Sequence, residues 1–178
     1  MGDTKSTALK ILWGKLRRTD RDAKDYDKVR LLKRIPFFEN LRRPALEEVA
    51  KIMFERDYQE GEFIFEQGQP GAALFIIQSG TVSVEITHSN GDVDKITQLG
   101  RHAFLGELAL LDESPRSASA VAHVPTKVLS LFRSDLDQLL KEHPTIAAEI
   151  YRSLATIVGS RLKSTNELLE KRQIKVAG

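Results

Sequence analysis

The chain has 178 residues, of which 41% are hydrophobic and 29% are charged, a balance that favours a folded domain and excludes global disorder. It contains no cysteine, which excludes a disulfide framework and any thiolate metal site. No apolar run approaches the roughly 20 residues needed to cross a bilayer, and the N-terminus has no apolar signal core, so we expect a cytoplasmic protein.

Residues 1–34 form the first predicted unit, a basic helical arm. They contain eleven Lys/Arg and five Asp, whereas residues 35–178 contain sixteen Lys/Arg and twenty Asp/Glu. Helices are predicted over residues 5–18 and near residues 26–34, and the first is amphipathic. Its apolar face comprises Leu9, Leu12, Trp13 and Leu16. Nucleic acid, an anionic membrane surface or an acidic protein face would suit the basic arm; the alternative is a solvated helix face.

Residues 35–133 form the second predicted unit, which consists mainly of short strands. A short helix over residues 44–51 comes first, because proline suits the first helical turn. From residue 52 the apolar spacing becomes strand-like. Residues 82–87 alternate between apolar and polar side chains, whereas the apolar run 74–77 indicates a strand covered on both faces. Turns rich in glycine separate these segments, which is typical of a sandwich or barrel.

Residues 134–178 form the third predicted unit, two helices. Ser134 is a suitable N-cap for a helix over residues 135–142. Pro144 opens a longer helix that extends to about residue 171, and its apolar stripe thins after Leu162.

The segment 104–119 carries the most specific chemistry in the chain. Gly106 allows a ligand to approach the backbone closely, and Glu107 offers a carboxylate that accepts hydrogen bonds from paired sugar hydroxyls. Arg116 offers a planar fork of donors that suits phosphate oxygens. Together these groups predict a site for a sugar phosphate.

Two further stretches of this segment support a site for an anion. Residues 108–111 predict a short helix whose first N–H groups are free. Ser117 and Ala118 are small enough for backbone N–H groups to reach the same anion, and the Ser117 hydroxyl is a further donor. The alternative for Glu107 and Arg116 is a structural ion pair.

This segment resembles the phosphate-binding cassette of the cyclic nucleotide-binding domain, the family of the bacterial catabolite activator and the regulatory subunits of cyclic-AMP-dependent kinase. The family pattern stands here as Gly-Glu-Leu-Ala at residues 106–109 and Pro-Arg-Ser-Ala-Ser at residues 115–119. The resemblance covers roughly residues 30–170. It implies an α+β fold, an antiparallel β-roll of the double-stranded β-helix or jelly-roll type, flanked by N-terminal helices and a long C-terminal helix.

The resemblance also implies a ligand, cAMP or cGMP, and a role for each residue of the cassette (residues 104–119). Glu107 would bind the ribose 2′-hydroxyl, and Arg116 would bind the cyclic phosphate. The other implied ligand-binding residues of the cassette are Gly106, Leu108, Ala109, Ser117 and Ala118. Thr165 and Asn166, late in the last helix, are candidates for contact with the base, and the alternative is an exposed helix end. One departure precedes the cassette, where His102 stands in place of the family's usual glycine.

These observations favour a non-enzymatic sensor whose C-terminal helix moves on ligand binding. The four histidines (His88, His102, His123 and His143) form no closely spaced pair, which opposes a metal-dependent barrel enzyme, so no metal is expected. Two alternatives are the sensor part of a transcription regulator and a scaffold without ligand. Only 16 residues follow Leu162, so no direct DNA binding is expected, whereas the resemblance favours a homodimer through the C-terminal helix.

Overall fold

The computed structural model describes residues 27–176, with side chains up to residue 167; the predicted helix over residues 5–18 lies outside the described residues. The helices are α1 (residues 27–32), α2 (Arg43–Lys51), α3 (Arg133–Glu142) and α4 (Pro144–Val176), with one 3₁₀ turn (Glu107–Leu110). The strands are β1 (Phe54–Tyr58), β2 (Phe63–Phe65), β3 (Ala73–Ser79), β4 (Val82–Thr87), β5 (Val93–Leu99), β6 (Phe104–Leu105), β7 (Ser119–Ala122) and β8 (Thr126–Phe132).

The eight strands form two antiparallel sheets of four strands each. The first has the order β1-β8-β3-β6 and the second has the order β2-β7-β4-β5. Together with the flanking helices, this arrangement confirms the predicted α+β fold.

The cassette connects the two sheets. It begins at β6, which pairs with β3 of the first sheet so that Phe75 lies opposite Leu105. It ends at β7, which pairs with β4 of the second sheet so that Val84 lies opposite Ala120. Because each end of the cassette is bonded to a different sheet, its middle residues span the gap between the sheets.

Two apolar cores cover the opposite faces of β3, as the continuous apolar run predicts. Leu74 and Ile76 belong to the core that the first sheet shares with the helices. Phe75 and Ile77 belong to the core between the two sheets. The alternation at β4 is less regular, because polar Ser83 is buried along with its neighbour Val82.

Helix α4 is buried near its start and exposed further along. In α4, Ala147, Ile150 and Leu154 are fully buried, whereas residues 159–167 are all exposed.

The predicted N-cap of α3 is wrong, because β8 runs directly into the helix and Phe132 occupies the cap position instead of Ser134. Within residues 27–176, no helix combines the length and the hydropathy that a bilayer crossing requires.

Candidate ligand-binding site

A cavity of about 560 Å³ lies against the cassette, a volume typical of small-molecule sites. Three parts of the fold line it: side chains of β2, β4 and β5, the cassette itself, and Arg161 of α4. The sites that the sequence predicts within residues 106–118 therefore share one cavity, and one lining residue comes from the C-terminal helix.

Gly106 stands where the chain turns from β6 into the 3₁₀ turn, with a φ of +75°. This left-handed conformation favours glycine. A Cβ atom at residue 106 would overlap Nη1 of Arg116 and would lie 3.1 Å from the Ala73 carbonyl oxygen. The turn and the guanidinium therefore both require glycine here.

Arg116 is 9% exposed and is fixed in position by the backbone and by two aromatic rings. Its Nη2 donates to the Ala73 carbonyl at 2.8 Å, and its Nη1 donates to the Gly106 carbonyl at 3.2 Å. The guanidinium carbon lies 4.2 Å from the ring centroid of Phe65 and 5.5 Å from that of Phe75. These contacts preset the orientation of the fork.

The charge of Arg116 is only partly compensated within the protein. Burial lowers the pKa of its guanidinium, and the Glu107 carboxylate opposes that shift. The side chain stays cationic, because arginine is not deprotonated at physiological pH. Its buried Nε has no hydrogen-bond partner among the described residues. A buried cation with an unused donor suits an anionic ligand.

Glu107 opens the 3₁₀ turn and is 6% exposed. Its Oε1 accepts a hydrogen bond from Nη1 of Arg161, which lies 54 residues further along the chain. The guanidinium carbon of Arg161 also lies 5.2 Å from the ring centroid of Phe104. The Glu107 carboxylate is thus hydrogen-bonded directly to α4.

No pattern in the sequence indicates a role for Arg161 in the site. Its one distinctive local feature is that it begins the mostly polar stretch 161–167 of the long helix. The cassette pattern, in contrast, indicates a role for its partner Glu107. Periodicity within a helix does not reveal a contact with a residue 54 positions away.

The other four predicted ligand-binding residues of the cassette differ in exposure. Leu108 is half exposed and Ser117 is exposed, whereas Ala109 is buried and Ala118 is partly buried. All four line the cavity. The short helix predicted over residues 108–111 is a 3₁₀ turn one residue earlier, in which the Ala109 N–H already donates to the Gly106 carbonyl at 3.2 Å.

Thr165 and Asn166 lie on an exposed part of α4 and are not lining residues of this cavity. The Thr165 hydroxyl donates to the Arg161 carbonyl one helical turn earlier, at 3.0 Å. Their contact with a base therefore stays a prediction. Within the described residues, no group of three or more His, Asp or Glu side chains is arranged to bind a metal ion.

His102 occupies a left-handed conformation with a φ of +69° in the turn before β6. Its N–H donates to the Ile77 carbonyl at 2.9 Å, which ties this turn to β3. Burial lowers the pKa of the His102 imidazole, and the nearby cations Arg101 and Arg34 lower it further. The turn therefore keeps a glycine-like backbone although histidine replaces the family's glycine.

Replacing His102 by glycine should raise the free energy of unfolding by up to about 1.5 kcal/mol. The left-handed backbone costs a residue with a side chain about 1–2 kcal/mol, and glycine removes this cost. The greater freedom of glycine in the unfolded chain takes back about 0.5–1 kcal/mol of that stabilisation. Denaturant unfolding would measure the change, with His102→Ala as the control that keeps the backbone cost. A glycine variant no more stable than the alanine variant would contradict this explanation.

Comparison with known proteins agrees with this geometry. Residues 55–143 match the family model described as "Cyclic nucleotide-binding domain". The chain is 36% identical over 135 residues to the Cyclic AMP receptor protein of Thermus thermophilus, covering 76% of this chain and 61% of that protein. It is 34% identical over 125 residues to a cyclic nucleotide-gated potassium channel of Mesorhizobium japonicum, covering 70% of this chain and 33% of that protein.

Solved structures give the same result. The N-terminal domain of a transcriptional regulator from Streptomyces coelicolor is 30% identical, with a TM-score of 0.68 over 78% of this chain and 94% of that domain. The chain spans 60–61% of the length of the curated regulators that it matches. The family match covers half of the chain and includes the whole cassette. The chain therefore belongs to the cyclic nucleotide-binding domain family.

Proposed function

We propose that this chain is a regulatory module that binds cAMP or cGMP in the 560 Å³ cavity. Arg116 binds the cyclic phosphate and Glu107 binds the ribose 2′-hydroxyl. The observation that carries the proposal is that a buried, preset cation and a buried carboxylate line the same cavity. The names of two relatives, a cyclic AMP receptor protein and a cyclic nucleotide-gated channel, support a regulatory role rather than a catalytic one.

The phosphate end of the cavity depends on the unused donors of Arg116. A guanidinium has five N–H donors. The Ala73 and Gly106 carbonyls each accept one hydrogen bond from this group. We expect phosphate oxygens to accept hydrogen bonds from the remaining donors, and an anion with one negative charge would balance the buried positive charge.

The ribose end depends on the carboxylate of Glu107. A carboxylate accepts about four hydrogen bonds, and Arg161 supplies one of them. A ribose hydroxyl that donates to Glu107 shares this carboxylate with Arg161. Ligand binding therefore changes the environment of a residue that belongs to α4, which connects the site to the C-terminal helix.

Leu110 provides a second, apolar connection to α4. It is fully buried in the core that also contains Ile150 and Leu154, whereas Leu111 is half exposed. A shift of the 3₁₀ turn would disturb the packing of Leu110 more than that of Leu111. A ligand moves α4 only to the extent that it binds the two positions of the helix with different affinities.

We also propose a homodimer and contacts with the base of the ligand. A homodimer through α4 is supported by the exposed part of that helix, where Leu162 is 60% exposed. We expect Thr165 and Asn166 to contact the base. A ligand-free scaffold is the alternative function, and the intact pair of Glu107 and Arg116 opposes it.

Thermal unfolding tests the proposal. A ligand that binds only the native chain stabilises it by about 2.7 kcal/mol at 100 times its Kd. For a chain of this size that corresponds to a rise in Tm of about 5–10 °C. We expect this rise with cAMP or cGMP and a smaller one with 5′-AMP, which lacks the cyclic phosphate. An unchanged Tm with both cyclic nucleotides would favour the scaffold.

A further inference from the structure

Arg133, the first residue of α3, contacts the end of the 3₁₀ turn. Its Nη1 donates to the Ala109 carbonyl at 3.3 Å and also to the Asp112 carbonyl. Its Nη2 pairs with the Glu113 carboxylate at 3.0 Å. One guanidinium from outside the cassette therefore bonds three of its residues, Ala109, Asp112 and Glu113.

The backbone of Arg133 is itself anchored. Its N–H donates to the Ala72 carbonyl at 2.9 Å, just before β3 begins. The side chain is only 24% exposed, whereas its partner Glu113 is 86% exposed. The ion pair with Glu113 therefore contributes little, and the two bonds to backbone carbonyls carry most of the interaction.

A different loop braces the second half of the cassette. The Arg116 N–H donates to the Gln69 carbonyl at 2.8 Å, and the Gly71 N–H donates to the Ser114 carbonyl at 3.3 Å. These bonds connect residues 114–116 to the loop between β2 and β3. Residues 109–112 have a different polar contact, Arg133, and this contact leads to α3.

Helix α3 is in turn packed on α4. Leu136 and Leu139 of α3 are buried in the same core as Ile150 of α4. The Tyr151 hydroxyl of α4 donates to the Asp137 carboxylate of α3 at 3.2 Å. A displacement of α3 would therefore reach α4 without passing through Glu107 or Arg161.

We propose that Arg133 is a positioning residue that couples the cassette to α3, so that ligand binding at the cassette changes the stability of α3. The proposal rests on the function proposed above. Arginine suits this role because its planar fork fixes several acceptors at once, whereas lysine presents a single flexible point charge. Arg133 bonds the carbonyls of the cassette and lies outside the set of cavity-lining residues.

Hydrogen–deuterium exchange of the full chain tests this coupling, because exchange reports the stability of individual segments. Exchange over residues 133–142 is compared without ligand and with saturating cAMP or cGMP, for the parent, Arg133→Ala, Arg133→Lys and the control Glu113→Gln. We expect the ligand to change exchange in α3 of the parent and of the control. In Arg133→Ala that ligand-dependent change is mostly lost, and affinity falls about fivefold, the lower end of typical coupling between sites.

The lysine variant keeps the test decisive if the alanine variant does not fold, because it should lose at least half of the ligand-dependent change. A purely structural role would raise exchange in α3 equally with and without ligand, and this outcome would overturn the proposal. A parent that binds ligand without any response in α3 would overturn it too. A parent that binds neither cyclic nucleotide would instead refute the proposed function.

Discussion

Replacing Arg116 by alanine is expected to weaken the binding of cAMP or cGMP by about 10- to 150-fold. The variant loses charge-assisted hydrogen bonds to the phosphate, which contribute about 1.5–3 kcal/mol. Arg116→Lys should recover only part of the affinity, since lysine keeps the charge but not the fork that bonds the Ala73 and Gly106 carbonyls. Isothermal titration calorimetry would measure both variants.

Arg152 offers a matched control for this experiment. It is an exposed arginine of α4 that pairs with Glu149 one helical turn earlier. Arg152→Ala removes the same charge from the chain without touching the cavity, so its affinity should equal that of the parent. If Arg116→Ala folds and also binds with the affinity of the parent, the assignment of Arg116 to the phosphate is wrong.

Replacing Gly106 by alanine should both destabilise the chain and weaken binding. The left-handed backbone at φ +75° costs alanine about 1–2 kcal/mol. The added Cβ overlaps Nη1 of Arg116, and such overpacking costs a further 1–3 kcal/mol or so. We therefore expect the free energy of unfolding to fall by about 2–5 kcal/mol. Because the overlap displaces the guanidinium, we expect affinity to fall at least tenfold, on the order of 1.4 kcal/mol.

Gly61 separates the two contributions. Its φ of +80° is also left-handed, but a Cβ atom there would contact nothing within 4 Å. Gly61→Ala should therefore cost only the backbone contribution of about 1–2 kcal/mol and leave affinity unchanged. Equal losses of stability in the two variants, together with unchanged affinity in Gly106→Ala, would show that the fit between Gly106 and Arg116 is not needed. Denaturant unfolding and calorimetry supply the two measurements.

The parts of the site that could be predicted from the sequence are the local ones. Gly106, Glu107 and Arg116 lie within one segment of eleven residues. The residue types in this segment, read in order, are enough to predict a site for a sugar phosphate. The doubly covered strand β3 could be predicted for a similar reason, since its four consecutive apolar residues have no polar face to expose to water.

The contacts that connect the site to the helices could not be predicted. Arg161 bonds Glu107, 54 residues earlier in the chain, and Arg133 bonds Asp112, 21 residues earlier. Contacts over such sequence separations leave no periodic pattern in the sequence. Which charged residues of α3 and α4 face the cassette depends on how those helices pack on the first sheet. That packing is a property of the whole fold and is not encoded in any short segment.

The wrong N-cap has a local cause. Ser134 has the side chain that N-caps favour, but a cap residue must have an extended backbone. The last residue of β8, Phe132, already supplies that extended backbone, so the helix begins before Ser134. At His102 the sequence alone indicated an altered turn, whereas the structure has the left-handed conformation with a histidine in it.

Calorimetric titration of the full chain with cAMP and with cGMP tests the central claim most directly. We predict that at least one of the two binds with one site per chain, and that Arg116→Ala weakens that binding at least tenfold, as the loss of about 1.4 kcal/mol or more requires. Absence of binding by both nucleotides to the folded parent chain would contradict the claim.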